Sequence, residues 1–144
     1  MFTVVRDDRL VQITLASNPS FVQPLLKRFE DIAREWGIDN AGRILIVLRE
    51  LLFNAIVHGN NSRQSRVVRC SIERIPGGVF RIAVEDEGDG FDFTCMDMSF
   101  PEDPRRVHRR GYILIRKICR QIEFNAQGNR VTVLVDAADR GEEG

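Results

Sequence analysis

The sequence of 144 residues has neither a long apolar run nor an excess of one charge. No window approaches the roughly 18 consecutive apolar residues that a membrane-spanning helix needs. Lys and Arg number 21, Asp and Glu also number 21, and the formal net charge is therefore zero. Proteins that coat nucleic acid or bind an anionic membrane need a basic surplus, so the balance argues against both classes.

Cysteine is also scarce, with three residues in the whole chain: Cys70, Cys95 and Cys119. Their wide spacing matches neither a zinc site nor a redox CxxC pair. The first residues, MFTVVRDDRL, hold two acids and no long apolar stretch, which is unlike a secretory signal. We therefore expect reduced cysteines in a cytoplasmic protein.

Hydrophobic residues make up 43% of the chain, which is enough for a core, and the length suits one domain. We expect this domain to cover residues 1–144. Its ordered core is predicted at about residues 9–136 and a frayed tail at residues 137–144.

Hydrophobic periodicity predicts the order strand, two helices, hairpin, long loop, helix, hairpin. The predicted strands are 9–15, 67–75, 79–85, 122–125 and 130–135, and the predicted helices are 21–36, a second one capped by Asp39 or Asn40 and ending at Gly59, and 111–122. Strands grouped in pairs, with helices free to cover one face, favour an α+β fold. We expect a two-layer α/β sandwich, with a mostly antiparallel mixed sheet covered by three helices.

The second predicted helix is mostly apolar, yet it carries Glu50, Asn54 and His58 at four-residue spacing. Residues at this spacing share one face of a helix. Asn54 could offer its amide oxygen to Mg²⁺, and Glu50 could take a proton from an attacking hydroxyl or water. Alternatively, Glu50 pairs with an arginine such as Arg43, and the other two side chains only mark the helix end.

A glycine-acid turn, residues 86–92 (DEGDGFD), follows a predicted strand. Its glycines allow the backbone to approach a ligand closely, and Asp86 could accept a hydrogen bond from the exocyclic amine of a base. The alternative is an ordinary acidic surface turn.

Charge is segregated around the long loop that begins at this turn. Residues 85–103 contain acids but no Lys or Arg, and residues 105–120 contain basic residues but no acid. The basic segment leads into the third predicted helix, whose N-terminus could bind phosphate with help from nearby arginines. A solvated basic loop is the alternative.

Taken together, these segments resemble the GHKL (Bergerat-fold) ATP-binding superfamily. Within it, the chain is similar to the stand-alone anti-sigma-factor serine kinases of bacteria. The matching segments are residues 50–59 (ELLFNAIVHG), 86–92, 110–116 (RGYILIR) and 128–133 (GNRVTV).

The resemblance implies ATP and Mg²⁺ as cofactors and gives each matching residue a role. Asn54 would coordinate Mg²⁺, Glu50 would be the general base, and Asp86 would bind the adenine amine. Gly88 and Gly90 would line the nucleotide, residues 92–110 would form a mobile ATP lid, and Arg110 and Gly111 would meet the phosphates.

The resemblance also implies partners. Family members phosphorylate a serine of a STAS-domain anti-anti-sigma factor and bind a sigma factor when that antagonist is unavailable, and many are homodimers.

Two positions depart from the kinase pattern. Ile113 stands where many relatives have a second glycine, and Gln23 stands where kinases tend to have an arginine. Lys27 or a lid arginine is the candidate substitute for that arginine.

These departures favour an alternative function, a binding module of the same fold that captures a partner without transferring phosphate. A third alternative is the catalytic half of a histidine kinase. We do not favour it, because the first predicted strand follows almost directly after the start of the chain.

Overall fold

The structure, a computed structural model, describes residues 2–89 and 110–138, and for residues 110–112 only the backbone. The strands are β1 Phe2–Arg6, β2 Leu10–Ala16, β3 Val67–Ile75, β4 Val79–Glu85, β5 Gln121–Phe124 and β6 Arg130–Asp136. The helices are α1 Val22–Glu35, α2 Gly42–Phe53 and α3 Arg110–Ile118, with a short 3₁₀ turn at Pro19–Phe21 and a π-helical turn at Asn54–Gly59.

The strands form one sheet in the order β1-β2-β3-β4-β6-β5. All of its neighbouring strands run antiparallel. The predicted α+β fold with three helices on a largely antiparallel sheet is confirmed. The part of the chain that the structure describes contains no parallel pair, so the sheet is antiparallel rather than mixed.

Alternation along the strands places one face of the sheet in the core. In β2, Val11, Ile13 and Leu15 are buried, whereas Gln12 and Thr14 between them are exposed. The buried face packs against apolar residues of all three helices: Leu25, Phe29 and Ile32 of α1, Ile44, Leu48 and Leu51 of α2, and Ile115 of α3. The opposite face is largely polar, with Gln12, Thr14 and Arg69 exposed on it. The sheet and the helices on its buried face form the two layers.

Two differences from the sequence prediction exceed a shift of one residue: an additional strand and an earlier helix end. β1 was not predicted, because five residues with exposed positions at Thr3 and Val5 give too short an alternation. The third helix ends at Ile118 instead of residue 122, because the Arg120 N–H already donates to the Leu134 carbonyl of β6 at 2.8 Å.

Both described cysteines are free thiols. Burial raises the pKa of Cys70 to about 12. Burial likewise raises the pKa of Cys119 to about 12, against the opposing charge of Arg43. Cys95 and the tail from residue 139 onwards lie outside the described residues. None of the helices within 2–89 and 110–138 is long and apolar enough to cross a membrane.

The antiparallel register brings three chain segments together at one end of the sheet. Glu85, the last residue of β4, pairs with Arg69 near the start of β3 and with Arg130 at the start of β6. The turn that follows β4 therefore lies beside the entry to β3 and beside the β5–β6 turn. The π-helical turn after α2 reaches the same end, as the contacts below show.

Leu48, which is fully buried in α2, tests how far the core depends on this helix. We expect Leu48→Ala to lower the free energy of unfolding by about 3 kcal/mol, because it leaves a cavity between helix and sheet. Ile46→Ala, two residues away at a position that is 45% exposed, is the control and should cost less than about 1 kcal/mol. Urea unfolding of both variants measures the difference, and equal losses would contradict this packing.

Candidate functional site

The polar stripe predicted from the sequence lies at the end of α2. Glu50 is in the last turn of α2, and Asn54 and His58 belong to the π-helical turn that follows. Asn54 is 6% exposed, the Glu50 side chain is 27% exposed, and His58 is half-buried. Asn54 is thus the most buried member of the stripe, and Glu50 and His58 on either side of it are partly exposed.

The amide of Asn54 has a fixed orientation. Its Nδ2 donates to the Glu50 carbonyl oxygen at 2.9 Å, and only the NH₂ group can make that bond. Among the residues that the structure describes, Asn54 Oδ1 accepts no hydrogen bond. A nearly buried amide oxygen without a donor is a suitable ligand for Mg²⁺, so Asn54 fits the predicted role.

The arginine beside Glu50 is Arg49, whose Nη1 lies 3.8 Å from Oε1. This is a loose, exposed pair and contributes little stability. Arg43, the partner considered in the sequence analysis, instead donates to the carbonyl oxygens of Ile118 and Asp136. Among the described residues, the ion pair of the Glu50 carboxylate is therefore this loose one with Arg49, and the side chain stays partly exposed.

The helix end is widened at the site. The Asn60 N–H donates to the Ala55 carbonyl at 2.8 Å, five residues back, as in a π-helix. π-helical turns are rare and occur frequently at functional sites. The chain then leaves the helix through Asn61 and Ser62, which both have positive φ angles (53° and 55°).

Gly59 brings this helix end against the glycine-acid turn. A Cβ atom on Gly59 would lie 2.2 Å from Asp86 Oδ2, and one on Gly88 would lie 2.0 Å from the Gly59 carbonyl oxygen. Neither position can carry a side chain without separating the two segments. The structure therefore places the Asn54 segment and the Asp86 segment, predicted as separate motifs, in direct contact.

The turn itself is held by hydrogen bonds. The Gly88 N–H donates to Asp86 Oδ1 at 2.8 Å, which closes a tight turn. Asn129, in the β5–β6 turn, accepts from the Asp86 N–H through its carbonyl (2.9 Å) and donates to the Asp86 carbonyl through Nδ2 (3.2 Å). Asn60, which is fully buried, accepts from the Glu87 N–H at 2.7 Å.

Sequence reasoning missed the roles of Asn60 and Asn129. Both follow or occupy turns, where asparagine is common, so neither stood out. The sequence carries no signal that distinguishes Asn60, because helix-terminating residues are usually exposed and only the three-dimensional structure shows that this one is buried.

The remaining predicted site residues are only partly described. Gly90 and residues 92–109 of the predicted lid lie outside the described residues. Arg110 and Gly111 form the first two residues of α3, and α3 packs against α2. Gln23 and Lys27 of α1 line a cavity of about 410 Å³ together with Arg49 of α2, next to Glu50 in the chain.

The described residues offer few protein ligands for a metal ion, as is usual where substrate phosphates supply the remaining ligands. Within 2–89 and 110–138 there is no cluster of three or more His, Cys, Asp or Glu side chains that could hold a metal ion. Mg²⁺ is typically bound by one or two protein oxygens together with substrate phosphates, and Asn54 Oδ1 provides one such oxygen.

Comparison with known proteins identifies the family to which the chain is similar. The family described as "Histidine kinase-like ATPase domain" matches residues 15–135. The chain is also similar to blue-light-activated histidine kinase 2 of Erythrobacter litoralis (strain HTCC2594), at 36% identity over 99 residues. That similarity covers 69% of this chain and 28% of the relative, so the chain spans less than a third of that protein.

Two solved structures of the blue-light activated histidine kinase EL346 of Erythrobacter litoralis are similar as well. The first has a TM-score of 0.48 at 24% identity and covers 70% of this chain and 31% of that one. The second, its histidine kinase domain, has a TM-score of 0.45 at 27% identity and covers 66% and 42%.

The family match covers the motifs on which the sequence prediction rested and confirms the GHKL-type assignment. It does not reach the narrower anti-sigma-factor kinase family, which stays a prediction. The chain belongs to the histidine kinase-like ATPase domain family and is an ATP-binding domain of that type.

Proposed function

We propose that the chain is an ATP-dependent protein kinase that phosphorylates a serine on a STAS-domain anti-anti-sigma factor. When that antagonist is unavailable, the chain would bind a sigma factor. The proposal of kinase activity rests on the arrangement at the end of α2. There, the partly exposed Glu50 side chain lies one helical turn before Asn54, whose amide oxygen accepts no hydrogen bond from the described residues. The helix end also contacts the Asp86–Gly88 turn.

In the proposed complex, Asp86 accepts a hydrogen bond from the adenine amine, and Gly88 allows the base to approach the backbone. Asn54 contributes its amide oxygen to Mg²⁺, which neutralises phosphate charge during transfer. Arg110 and Gly111 open α3, where free N–H groups at a helix start favour phosphate. Gly90 would complete the nucleotide contacts.

Glu50 has the position of a general base. Its carboxylate is 27% exposed, so an acceptor hydroxyl can reach it from outside the domain. Lys27 and Arg49 line the neighbouring cavity and could balance charge on the transferred phosphate, a task that Gln23 cannot perform. Phosphoryl transfer depends mainly on such positioning and charge stabilisation.

The serine acceptor, the STAS-domain and sigma-factor partners and a homodimeric state rest on the resemblance to anti-sigma-factor kinases. A cytoplasmic location accompanies this proposal, because ATP is available there and both described thiols are free.

Two other functions each have one supporting observation. A histidine acceptor is supported by the 36% identity with a protein named a histidine kinase. A non-catalytic binding module is supported by Gln23 and Ile113, which replace residues expected in a kinase.

Nucleotide titration tests the binding site. We expect Asn54→Ala to weaken Mg²⁺-ATP binding by about tenfold, through loss of one metal ligand, and to change binding of metal-free ATP much less. Asp86→Asn should weaken ATP binding by about 10- to 100-fold, because it removes a hydrogen bond to a charged acceptor. Isothermal titration calorimetry measures both.

Asp31→Asn, which changes an exposed acid on α1, is the matched control for these titrations and should bind like wild type. Unchanged affinity in both Asn54→Ala and Asp86→Asn would contradict the assignment of the site.

Phosphotransfer tests the catalytic role. Purified STAS-domain proteins of the source organism are incubated with the chain and radiolabelled Mg²⁺-ATP. We expect acid-stable label on a serine, and a rate lower by about 10²- to 10⁴-fold in Glu50→Gln, since the amide cannot take a proton. Glu73→Gln, an exposed position on β3, is the control.

Acid-labile label would replace the serine acceptor by a histidine. ATP binding without any labelled protein would leave the binding module as the function.

A further inference from the structure

Asn60 stands out in the described chain as a buried amide that joins three separate elements. It is 0% exposed, although it follows directly after the π-helical turn, at a helix end. Its side chain reaches the entry to β3 and the turn after β4. Nothing in the proposed chemistry uses Asn60 directly, and a fully buried side chain cannot touch a bound nucleotide.

The hydrogen bonds of Asn60 close into a ring with two other residues. The Glu87 N–H donates to Asn60 Oδ1 at 2.7 Å. The Glu87 carboxylate accepts from the Val67 N–H, and the Val67 carbonyl accepts from Asn60 Nδ2 at 3.0 Å. We call these three residues, Asn60, Val67 and Glu87, the amide ring. It connects the end of the α2 segment, the start of β3 and the glycine-acid turn.

Only an amide side chain can serve this ring. Position 60 must accept from one N–H and donate to a carbonyl, and it also donates to Ser17 Oγ at 2.8 Å. Asparagine has an acceptor oxygen and two N–H donors, so all of these bonds are made at once. Aspartate would place a second acceptor oxygen opposite the Val67 carbonyl, where a donor is needed. Serine is too short to reach these partners and has only one donor.

The amide ring fixes one side of the turn that carries Asp86. Glu87 is the residue between Asp86 and Gly88, and its N–H and its carboxylate are both bound. On the other side, Asn129 holds the N–H and carbonyl of Asp86. The position of Asp86 relative to Gly59 is therefore set by two asparagines from different parts of the chain.

We propose that Asn60 is a positioning residue that gives the site its selectivity for adenine, acting through Glu87 on Asp86. This inference rests on the proposed function, in which Asp86 reads the adenine amine. A carboxylate there accepts from the 6-amino group of adenine and repels the 6-oxygen of guanine. The distinction depends on where the carboxylate is held, because both nucleotides carry the same ribose and phosphates.

The preference for ATP over GTP is the readout that separates positioning from stability alone. A residue with a purely structural role lowers the folded fraction and affects both nucleotides equally. A positioning residue changes their ratio. Dissociation constants for Mg²⁺-ATP and Mg²⁺-GTP are measured by calorimetry at a temperature where circular dichroism shows each variant to be folded.

Two substitutions break hydrogen bonds of the amide ring: Asn60→Ser at its buried residue and Glu87→Ala at its exposed residue. In both variants we expect ATP binding to weaken by about tenfold and the ATP-to-GTP preference to fall at least fivefold, as expected for loss of one oriented hydrogen bond. Glu87 is exposed, so Glu87→Ala keeps the test decisive if Asn60→Ser does not fold.

Two variants are matched controls. Glu87→Gln retains an oxygen that accepts from the Val67 N–H and should keep the wild-type preference. Ile72→Ala removes buried volume from the middle of β3 and should lower stability without changing the ratio.

The outcomes separate this inference from the proposed function. If wild type prefers ATP and Asp86→Asn abolishes the preference, but Asn60→Ser and Glu87→Ala retain it, the role of the amide ring is wrong and the site stands. If wild type itself shows no preference, the adenine-reading role of Asp86 is wrong, and the inference about Asn60 is overturned with it.

Discussion

The contact between Gly59 and the Asp86–Gly88 turn is the constraint on which the site depends. Hypothetical Cβ atoms on Gly59 and Gly88 would lie 2.2 Å from Asp86 Oδ2 and 2.0 Å from the Gly59 carbonyl oxygen. The helix and the turn can therefore approach only because both positions are glycine. This approach brings the segment of Asn54, the proposed metal ligand, against Asp86, the proposed reader of adenine, 32 positions later in the chain.

Local patterns predicted most of the fold but less of the site. Alternation identified β2, β3 and β6, in which buried residues alternate with more exposed ones. It also identified β4, although Val79 and Ala83 bury part of the second face of that strand. The π-helical turn was not predictable, since the sequence of residues 54–59 also suits an α-helix. Asn60 could not be distinguished from an ordinary helix-terminating asparagine, because its partners are Ser17, Val67 and Glu87, and such long-range pairing leaves no periodic signal.

The site combines two kinds of support. The turn of Asp86, which is proposed to read adenine, is held by part-buried hydrogen bonds from Asn60 and Asn129. Breaking these bonds would be costly, because their partners would be left without hydrogen bonds. The proposed base, Glu50, has only a loose contact with Arg49 at 3.8 Å. In the proposed function, nucleotide recognition is therefore supported from the interior, whereas Glu50, the proposed base, lies at a partly open surface.

This division has a consequence for function within the family. Because the buried contacts would concern only the nucleotide, the proposed site is compatible with a serine acceptor, a histidine acceptor or none. If the chain is a kinase, as we propose, the acceptor would be selected where Glu50 meets solvent, beside the cavity lined by Gln23, Lys27 and Arg49. Fold alone does not determine which protein is phosphorylated. Under this proposal, the side chains of α1 and α2 around Glu50, rather than the sheet, are where family members with different acceptors should differ.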